Sequence, residues 1–471
     1  MYVEQIYTKC LAQGSYYIES NGKAAVIDPI REPEPYLELA KRRGAEIIYV
    51  FETHFHADFV SGHIDLANKV GAKIVFGPSA ETGYETYTGK DGEQFPLGDC
   101  RIELIHTPGH TPESSCYLLK DEDGKAHSIF TGDTLFIGDV GRPDLAIKSG
   151  FTQEDLAGML FDSLRNKIMP VPDEVILYPG HGAGSSCGKN LSSETVSTLG
   201  EQKKSNYALR DITKVEFIEE VTEGLLTPPP YFFHDAFINK NGYQPLDEVK
   251  SKNLSPLSLN DFLGHMKDGA WVLDVRNKEE FVEEHIPSSV FIGLDGNFAL
   301  WVGAVIPADQ ELVLVCPEGK EEETVRRLAR VGFEKVKGYL NGGFKTWKDA
   351  GRQTSKIESI SAEAAAEALK TTPVLDVRKP GEVEVGHVEG AQNIRLQEIQ
   401  DSFEDIEDID QPHLVHCASG YRSVIGISLL QKNGIMGYKN VLGGYQALSQ
   451  TSAPIKTGLC ATQRRALKEN T

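Results

Sequence analysis

Short apolar runs that end in polar loops recur along the first 225 or so residues, and each run predicts a buried β-strand. Residues 24–28 (AAVID) and 47–50 (IIYV) are examples. Further along, β-branched runs such as 271–275 (WVLDV) and 311–315 (ELVLV) alternate with amphipathic helical patterns. This alternation is typical of parallel sheets covered by helices on both faces, so the chain is predicted to be an α/β protein.

The last two hundred residues contain one pattern twice, at an offset of 101 or 102 residues. The paired motifs are Asp274-Val275-Arg276 with Asp376-Val377-Arg378, His285 with His387, Cys316 with Cys417, and Gly342-Gly343 with Gly443-Gly444. A stiff stretch at 227–230 (TPPP) and a polar one at 242–256 precede the first copy. We therefore predict three domains, at residues 1–245, 246–355 and 356–471.

Composition excludes several classes of protein. With 69 acidic and 48 basic residues, the excess of 21 negative charges disfavours nucleic acid and anionic membrane surfaces as partners. Seven cysteines at scattered positions predict no disulfide framework and fit a reducing cytosol. No secretory leader and no apolar run of about 18 residues is visible, which predicts a cytoplasmic protein.

Histidine and aspartate cluster in the loops of the first domain. His54, His56 and Asp58 lie within five residues directly after an apolar run, and His110 and Asp133 follow in glycine-containing loops. A fourth histidine, His181, comes after Tyr178-Pro179-Gly180. The order resembles the metallo-β-lactamase superfamily, with its H-x-H-x-D-H motif, a lone His, a lone Asp and a last His. The resemblance implies an αββα sandwich that binds metal.

The residue after Asp58 is Phe59, where the dinuclear hydrolases of that superfamily have a histidine. Phenylalanine cannot ligate a metal, so water activation by two metals becomes doubtful. Two histidines and one carboxylate suit Fe(II) with open positions for dioxygen and substrate. The domain resembles the persulfide dioxygenases in this respect. That resemblance implies one Fe(II) per chain, with Zn as the alternative, held by His54, His110 and Asp133.

The same resemblance leaves the other motif residues unligated. His56, Asp58 and His181 are then candidates to orient the ligands by hydrogen bonds. Arg142, in Gly141-Arg142-Pro143-Asp144, can anchor an anion or pair with Asp144, and we favour the internal pair. Tyr178 resembles a tyrosine near the iron in that family, and a packing role is the alternative.

Cys187 lies among Gly and Ser six residues after His181, which predicts an exposed thiol near the metal. One hypothesis is that Cys187 receives a persulfide sulfur and presents it to the metal. The alternative is an incidental loop cysteine.

The second repeat carries residues 417–423 (CASGYRS) between a predicted strand and a helix. This segment resembles the active loop of rhodaneses, in which backbone N–H groups surround a nucleophilic thiolate. Cys417 is the predicted nucleophile, and Arg422 adds positive charge. The first repeat has Glu321 at the position of Arg422, with further acids around Cys316, and negative charge disfavours a thiolate. We predict that the first repeat is inactive.

These features together indicate a persulfide dioxygenase fused to a rhodanese-like sulfurtransferase. The resemblance implies a low-molecular-weight thiol persulfide, dioxygen and sulfite as small-molecule partners, and a role in sulfide detoxification through thiosulfate. Two alternatives stay open: a Zn-dependent thioester hydrolase of the glyoxalase II type, and a scaffolding or regulatory protein. A homo-oligomer is also open, with the middle repeat as a candidate interface.

Overall fold

The computed structural model describes residues 1–146, 150–460 and 462–463, which separate into two units. The first unit comprises Met1–Val249 together with Leu328–Phe333, and the second comprises the other described residues from Lys250 onward. Leu328–Phe333 lies inside the domain that the sequence predicted at 246–355. The structure groups this segment with the first unit, which the sequence pattern did not predict. The predicted boundaries at residues 245 and 355 stay predictions.

Two six-stranded sheets form the first unit. The first sheet contains β1 (Tyr2–Thr8), β2 (Gln13–Ser20), β3 (Lys23–Ile27), β4 (Glu46–Phe51), β5 (Lys73–Phe76) and β6 (Tyr87–Thr88). The second contains β7 (Gln94–Leu97), β8 (Cys100–His106), β9 (Ser115–Lys120), β10 (Ala126–Gly132), β11 (Ile176–Pro179) and β12 (Ser197–Thr198). In each sheet the strands lie side by side in chain order. Neighbours are antiparallel except at β3–β4–β5–β6 and β10–β11, which are parallel.

Helices cover the outer face of each sheet. Those up to residue 253 are α1 (Glu34–Arg43), α2 (His63–Val70), α3 (Gln153–Ser163), α4 (Leu199–Ser205), α5 (Lys214–Thr222), α6 (Tyr231–Asn241) and α7 (Leu246–Asn253). Alternate residues of a strand face opposite sides, so Tyr16 and Ile18 of β2 pack against Leu104 and Phe130 of the second sheet. Tyr17, between them, packs with residues of α1 and α2. The α3 and α5 helices pack on the second sheet. The predicted αββα sandwich is confirmed.

Two five-stranded parallel sheets and one two-stranded antiparallel sheet form the second unit. The first repeat contains β13 (Pro256–Leu257), β14 (Trp271–Asp274), β15 (Val290–Phe291), β16 (Leu312–Val315) and β17 (Val336–Leu340). The second repeat contains β18 (Ser359–Ile360), β19 (Val374–Asp376), β20 (His387–Val388), β21 (Gln392–Asn393), β22 (Leu414–His416), β23 (Lys439–Val441) and β24 (Ile455–Lys456). The strand order is β13-β17-β16-β14-β15 in one five-stranded sheet and β18-β23-β22-β19-β21 in the other, and β20 pairs with β24 in the small sheet. Corresponding strands occupy the same places, so the duplication seen in the sequence is a duplication of the fold.

The helices of the second unit fill the connections between these parallel strands. They are α8 (Leu259–Lys267), α9 (Lys278–Glu283), α10 (Phe298–Val305), α11 (Glu321–Ala329), α12 (Gly343–Asp349), α13 (Ala362–Ala368), α14 (Pro380–Val385), α15 (Arg422–Lys432) and α16 (Gly444–Leu448). The apolar helix α10 has eight residues, against about 20 needed to cross a bilayer. None of the helices formed by the described residues has the length and apolarity required to span a membrane.

The repeated Asp-Val-Arg motif forms the same buried ion pair in both copies. Arg276 Nη2 lies 2.7 Å from Asp274 Oδ2, and Arg378 Nη2 lies 2.6 Å from Asp376 Oδ2. Each guanidinium also lies over an aromatic ring, at 4.0 and 3.9 Å from the ring centroid. Both copies form this pair, and removing either partner would leave a buried charge unpaired, so the motif does not by itself mark chemistry.

Candidate metal centre and sulfur-transfer loop

Three loops that follow strand ends bring His54, His110 and Asp133 together. His54 follows β4, His110 follows β8, and Asp133 directly follows β10. All three side chains are buried, and their ligating atoms lie within 4.8 Å of one another. His54 Nε2 is 3.9 Å and His110 Nε2 is 3.5 Å from Asp133 Oδ2. The three residues predicted as metal ligands therefore form one group.

The hydrogen bonds of this group leave the right atoms free for a metal. His110 Nδ1 donates to the Arg142 carbonyl at 2.8 Å, so its Nε2 carries a lone pair. The Thr53 hydroxyl donates to Asp28 Oδ2 at 2.8 Å and accepts from His54 Nδ1 at 3.0 Å, which frees Nε2 of that ring too. His110 Nε2 and Asp133 Oδ2 are buried without a hydrogen-bond partner. Burying such atoms unpaired is costly, and a bound cation offsets that cost, so the residues fit a metal.

The charges in the pocket favour the ligating protonation states. Burial lowers the pKa of His54 well below its usual range, and the neighbouring His56 lowers it further. Burial alone raises the pKa of Asp133, but the imidazoles around it, His181 foremost, bring that pKa below the usual range. A neutral imidazole and an ionised carboxylate are the forms that bind a metal.

Gly132 allows the loop of Asp133 to approach the loop of His54. Its φ is +47°, and a Cβ at this position would lie 2.4 Å from Thr53 Oγ1. Any side chain would therefore displace the threonine that orients His54. The glycine in this loop therefore permits both the left-handed backbone conformation and the close approach.

A second buried group contains Asp58, His181 and Cys187, whose donor atoms also lie within 4.8 Å of one another. His181 Nδ1 lies 2.8 Å from Asp133 Oδ1 in a hydrogen bond. His181 Nε2 lies 2.8 Å from Asp58 Oδ2, but without hydrogen-bond geometry. His181 thus contacts Asp133 by a hydrogen bond and Asp58 by proximity alone, and the orienting role predicted for the two residues stays a prediction.

The prediction that Cys187 is exposed was wrong. Only 1% of the residue is accessible. Its loop is held down by Arg142, whose backbone N–H donates to the Cys187 carbonyl at 2.9 Å. Burial raises the pKa of the Cys187 thiol well above its usual range, and the nearby carboxylates of Asp58 and Asp133 raise it further. The Gly and Ser residues around Cys187 shape a buried turn rather than an exposed loop.

His56 points into a third polar group that the sequence did not predict. Its Nε2 lies 3.2 Å from Asp28 Oδ1 and 3.4 Å from Glu52 Oε2. Asp28 also accepts from the Thr53 backbone N–H at 2.7 Å, and Glu52 accepts from Ser61 Oγ at 2.6 Å. Asp28 and Glu52 each directly follow a strand of the first sheet, the same position in the fold as the predicted site residues. Their position directly after a strand is the sequence signal by which Asp28 and Glu52 could have been predicted as residues of this polar group.

Phe59 packs on the same histidine. The Phe59 side chain is fully buried, and its ring centroid lies 4.4 Å from that of His56. The position that carries an imidazole in the dinuclear hydrolases is thus occupied by an apolar ring in van der Waals contact with the motif. Phe59 therefore supplies no imidazole that could ligate a second metal.

For Arg142 and Tyr178 the sequence left two roles open, and the contacts of both residues are those of the structural role. Arg142 Nε and Nη2 donate to the two carboxylate oxygens of Asp144 at 2.6 and 2.7 Å, the internal pair that we favoured. The Tyr178 ring stacks on Phe130 at 5.2 Å and lies 5.1 Å from the ring of Tyr16, between the two sheets. The structure therefore gives Tyr178 a packing role.

The Cys417 loop has the form expected of a sulfur-transfer site. Cys417 follows β22, and its Sγ accepts from the Gly420 backbone N–H at 3.1 Å, just before α15 begins at Arg422. Arg422 Nη1 and Nη2 each lie 2.7 Å from a carboxylate oxygen of Glu382. Glu382 lies forty residues earlier, and the sequence did not predict this partner of the arginine. The positive charge beside Cys417 is therefore part of a fixed ion pair.

The corresponding thiol of the first repeat has a different environment. Cys316 is buried, and Thr324 Oγ1 lies 3.7 Å from its Sγ. Burial raises the pKa of Cys316 to about 12, and the carboxylates of Glu321 and Asp274 contribute to the increase. A thiol with this pKa is protonated at neutral pH. The inactive role predicted for this repeat is consistent with that environment.

Cys316 is accordingly expected to resist alkylation. With a pKa of about 12, about one thiol in ten thousand is ionised at pH 8. Iodoacetamide should modify Cys316 at least about a hundredfold more slowly than free cysteine, and the rate should rise about tenfold per pH unit. Peptide mass spectrometry of the intact folded protein measures this rate. Modification as fast as that of free cysteine would contradict the assignment.

Two family models match different parts of the chain. The family model described as Metallo-beta-lactamase superfamily matches residues 9–181, and the model described as Rhodanese-like domain matches residues 258–350 and 361–451. Among solved structures, a metallo-beta-lactamase from Staphylococcus aureus is 31% identical with a TM-score of 0.64, covering 72% of this chain and 98% of that chain.

Curated relatives match the first domain. A probable hydroxyacylglutathione hydrolase from Schizosaccharomyces pombe is 34% identical over 37% of this chain, and the match spans 64% of the yeast protein. A hydroxyacylglutathione hydrolase from Brucella anthropi is 32% identical over 42% of this chain and 72% of its own length. The chain therefore belongs to the metallo-beta-lactamase superfamily, and two rhodanese-like domains follow its metallo-beta-lactamase domain.

Proposed function

We propose that this protein is a persulfide dioxygenase joined to a sulfurtransferase. It oxidises a low-molecular-weight thiol persulfide with dioxygen to the thiol and sulfite, and its last domain combines sulfane sulfur with sulfite to give thiosulfate. The observation that carries the proposal is the donor set: two imidazoles and one carboxylate, with Phe59 packed where a further imidazole would serve a second metal. This set suits a single Fe(II) with open positions.

His54, His110 and Asp133 would hold the iron, which supplies activation of dioxygen when bound. The chain orients these ligands through Thr53 and the Arg142 carbonyl, and burial of the three ligands limits access of bulk water. In the overall reaction one persulfide, one dioxygen and one water give one thiol, one sulfite and two protons. Both atoms of dioxygen and the oxygen of water enter sulfite, whose sulfur is oxidised.

Cys417 carries the second reaction. Its thiolate attacks the outer sulfur of the persulfide, so a bond to Sγ forms, the S–S bond of the donor breaks, and the thiol leaves with the proton. Sulfite then attacks the outer sulfur on Cys417, which releases thiosulfate and restores the thiolate. Neither step needs an oxidant. The Gly420 N–H, 3.1 Å from Sγ, stabilises negative charge on the sulfur in both steps. The opposite order, in which persulfide on Cys417 supplies the oxygenase, uses the same groups.

A thioester hydrolase is the second candidate. It is favoured by two observations: the curated relatives are named hydroxyacylglutathione hydrolases, and Asp58, His181 and Cys187 form a further buried donor group. Carboxylate, imidazole and thiolate together suit zinc. Zinc in both groups would make the centre dinuclear and would support water activation in place of oxygenation.

Metal content separates the two candidates. Protein purified without air is expected to contain one iron per chain and to consume oxygen with glutathione persulfide, since the donor set suits one Fe(II). His110→Ala should lose at least about tenfold in metal affinity, because the metal loses one of its three protein ligands. Elemental analysis and an oxygen electrode measure both effects.

The matched control is His127→Ala, which removes a half-buried histidine of β10 that lies outside the ligand group. This variant should keep its iron and its oxygen uptake. Two zinc ions per chain, no oxygen uptake and hydrolysis of a glutathione thioester would establish the second candidate instead.

The Cys417→Ser variant tests the coupling of the two reactions. It should keep oxygen uptake, since the metal ligands are untouched, and it should release sulfite in place of thiosulfate. Ion chromatography of the products measures the ratio. Cys316→Ser is the control, because the same change is made to the protonated thiol of the other repeat. An unchanged ratio in Cys417→Ser would refute the coupled scheme.

A further inference from the structure

The first repeat contacts the sulfur-transfer loop of the second repeat. The Tyr421 hydroxyl, which belongs to that loop, donates to the Gly293 carbonyl of the first repeat at 3.2 Å. The Tyr421 ring also packs edge-on against Phe291 at 5.6 Å between centroids. Phe291 ends β15 and Gly293 follows it closely, so one short segment of the first repeat makes both contacts.

The helix behind the loop is held by the same repeat. Ser428 Oγ of α15 accepts from the Phe291 backbone N–H at 3.0 Å, and Gln431 Oε1 lies 3.1 Å from His285 Nε2. Residues 421, 428 and 431 are spaced by seven and three positions, which places them on one face of a helix. The first repeat therefore holds α15 along one face from its first turn to its last.

Tyr421 links these contacts to the sulfur of Cys417, because it directly follows the glycine whose N–H faces that sulfur. Its carbonyl accepts from the Val424 backbone N–H at 3.1 Å, which starts α15. The residue before it is Gly420, whose N–H donates to Cys417 Sγ. Gly420 has a φ of +92°, a conformation that glycine leaves easily because it has no side chain. Contacts that hold Tyr421 therefore restrict the rotation of Gly420 and, with it, the directions open to the amide that faces the sulfur.

We propose that the first rhodanese-like repeat is a positioning domain for the sulfur-transfer loop of the second, acting through Tyr421. The first repeat has acidic residues around Cys316, which disfavour a thiolate there, and it contributes the segment at Phe291 and Gly293 that holds the loop. Tyr421 is a positioning residue, since it acts on Cys417 through the Gly420 amide. The inference rests on the proposed function in one respect, that Cys417 transfers sulfur.

The test uses the full-length protein with the conservative variant Tyr421→Phe, which removes one hydroxyl and keeps the ring on Phe291. With thiosulfate as donor and cyanide as acceptor, kcat should fall about three- to tenfold, the effect expected when one hydrogen bond that positions the reacting group is lost. KM for thiosulfate should stay within about twofold, since no charged group changes. Amide hydrogen exchange of residues 417–424 should become faster.

Tyr438→Phe is the matched control. The Tyr438 hydroxyl donates to the Ile409 carbonyl at 3.1 Å, so the variant loses the same kind of hydrogen bond within the second repeat but away from the loop. It should leave kcat and the exchange of residues 417–424 unchanged. Phe291→Leu, a change in the first repeat alone, should act in the same direction as Tyr421→Phe.

The outcomes are distinct. If Tyr421→Phe matches Tyr438→Phe in kcat and in exchange, the positioning role is overturned. If the unmodified protein transfers no sulfur, the function proposed for Cys417 fails, while the exchange experiment still decides whether Tyr421 orders the loop. Should Phe291→Leu fail to fold, the comparison of the two tyrosine variants decides alone.

Discussion

Asp133 is the group on which the first site depends. One of its carboxylate oxygens faces His54 and His110, and the other accepts a hydrogen bond from His181. A fully buried carboxylate is stable as an anion only where cations or donors surround it, and here histidines supply that environment. The loops after β4, β8, β10 and β11 must therefore meet at one point. The αββα sandwich satisfies this requirement because those strand ends lie at the same edge.

The duplicated domains show which parts of a motif serve structure and which serve chemistry. Both copies share the buried Asp-Arg pair and the strand order, so these features belong to the fold that the two domains have in common. The copies differ at the first residue of the helix that follows the cysteine, which is Glu321 in the first repeat and Arg422 in the second. Burial is the largest cause of the raised pKa of Cys316, and the carboxylate of Glu321 adds to it, whereas the second repeat has a cation at the corresponding position. The fold tolerates either charge, because the side chain lies at a helix start.

Much of this architecture could be predicted from the sequence, since its signals are local. The strand runs, the repeat offset, the spacing of His54, His110 and Asp133 and the loop at Cys417 all lie within short stretches of chain. Partners that pack from distant segments could not be predicted: Glu382 reaches Arg422 from forty residues away. Cys187 was predicted to be exposed because glycine and serine surround it, and composition does not report how a turn packs.

Burial alone does not decide which thiol of this protein can carry sulfur. Cys187, Cys316 and Cys417 have exposed fractions of 1%, 5% and 1%, and any of them would be judged inert on accessibility. The groups around each sulfur differ instead. Carboxylates lie near Cys187 and Cys316, whereas an amide N–H points at Cys417. A buried anion needs such a donor in place of lost water, so the chemistry of the loop depends on how firmly that amide is held.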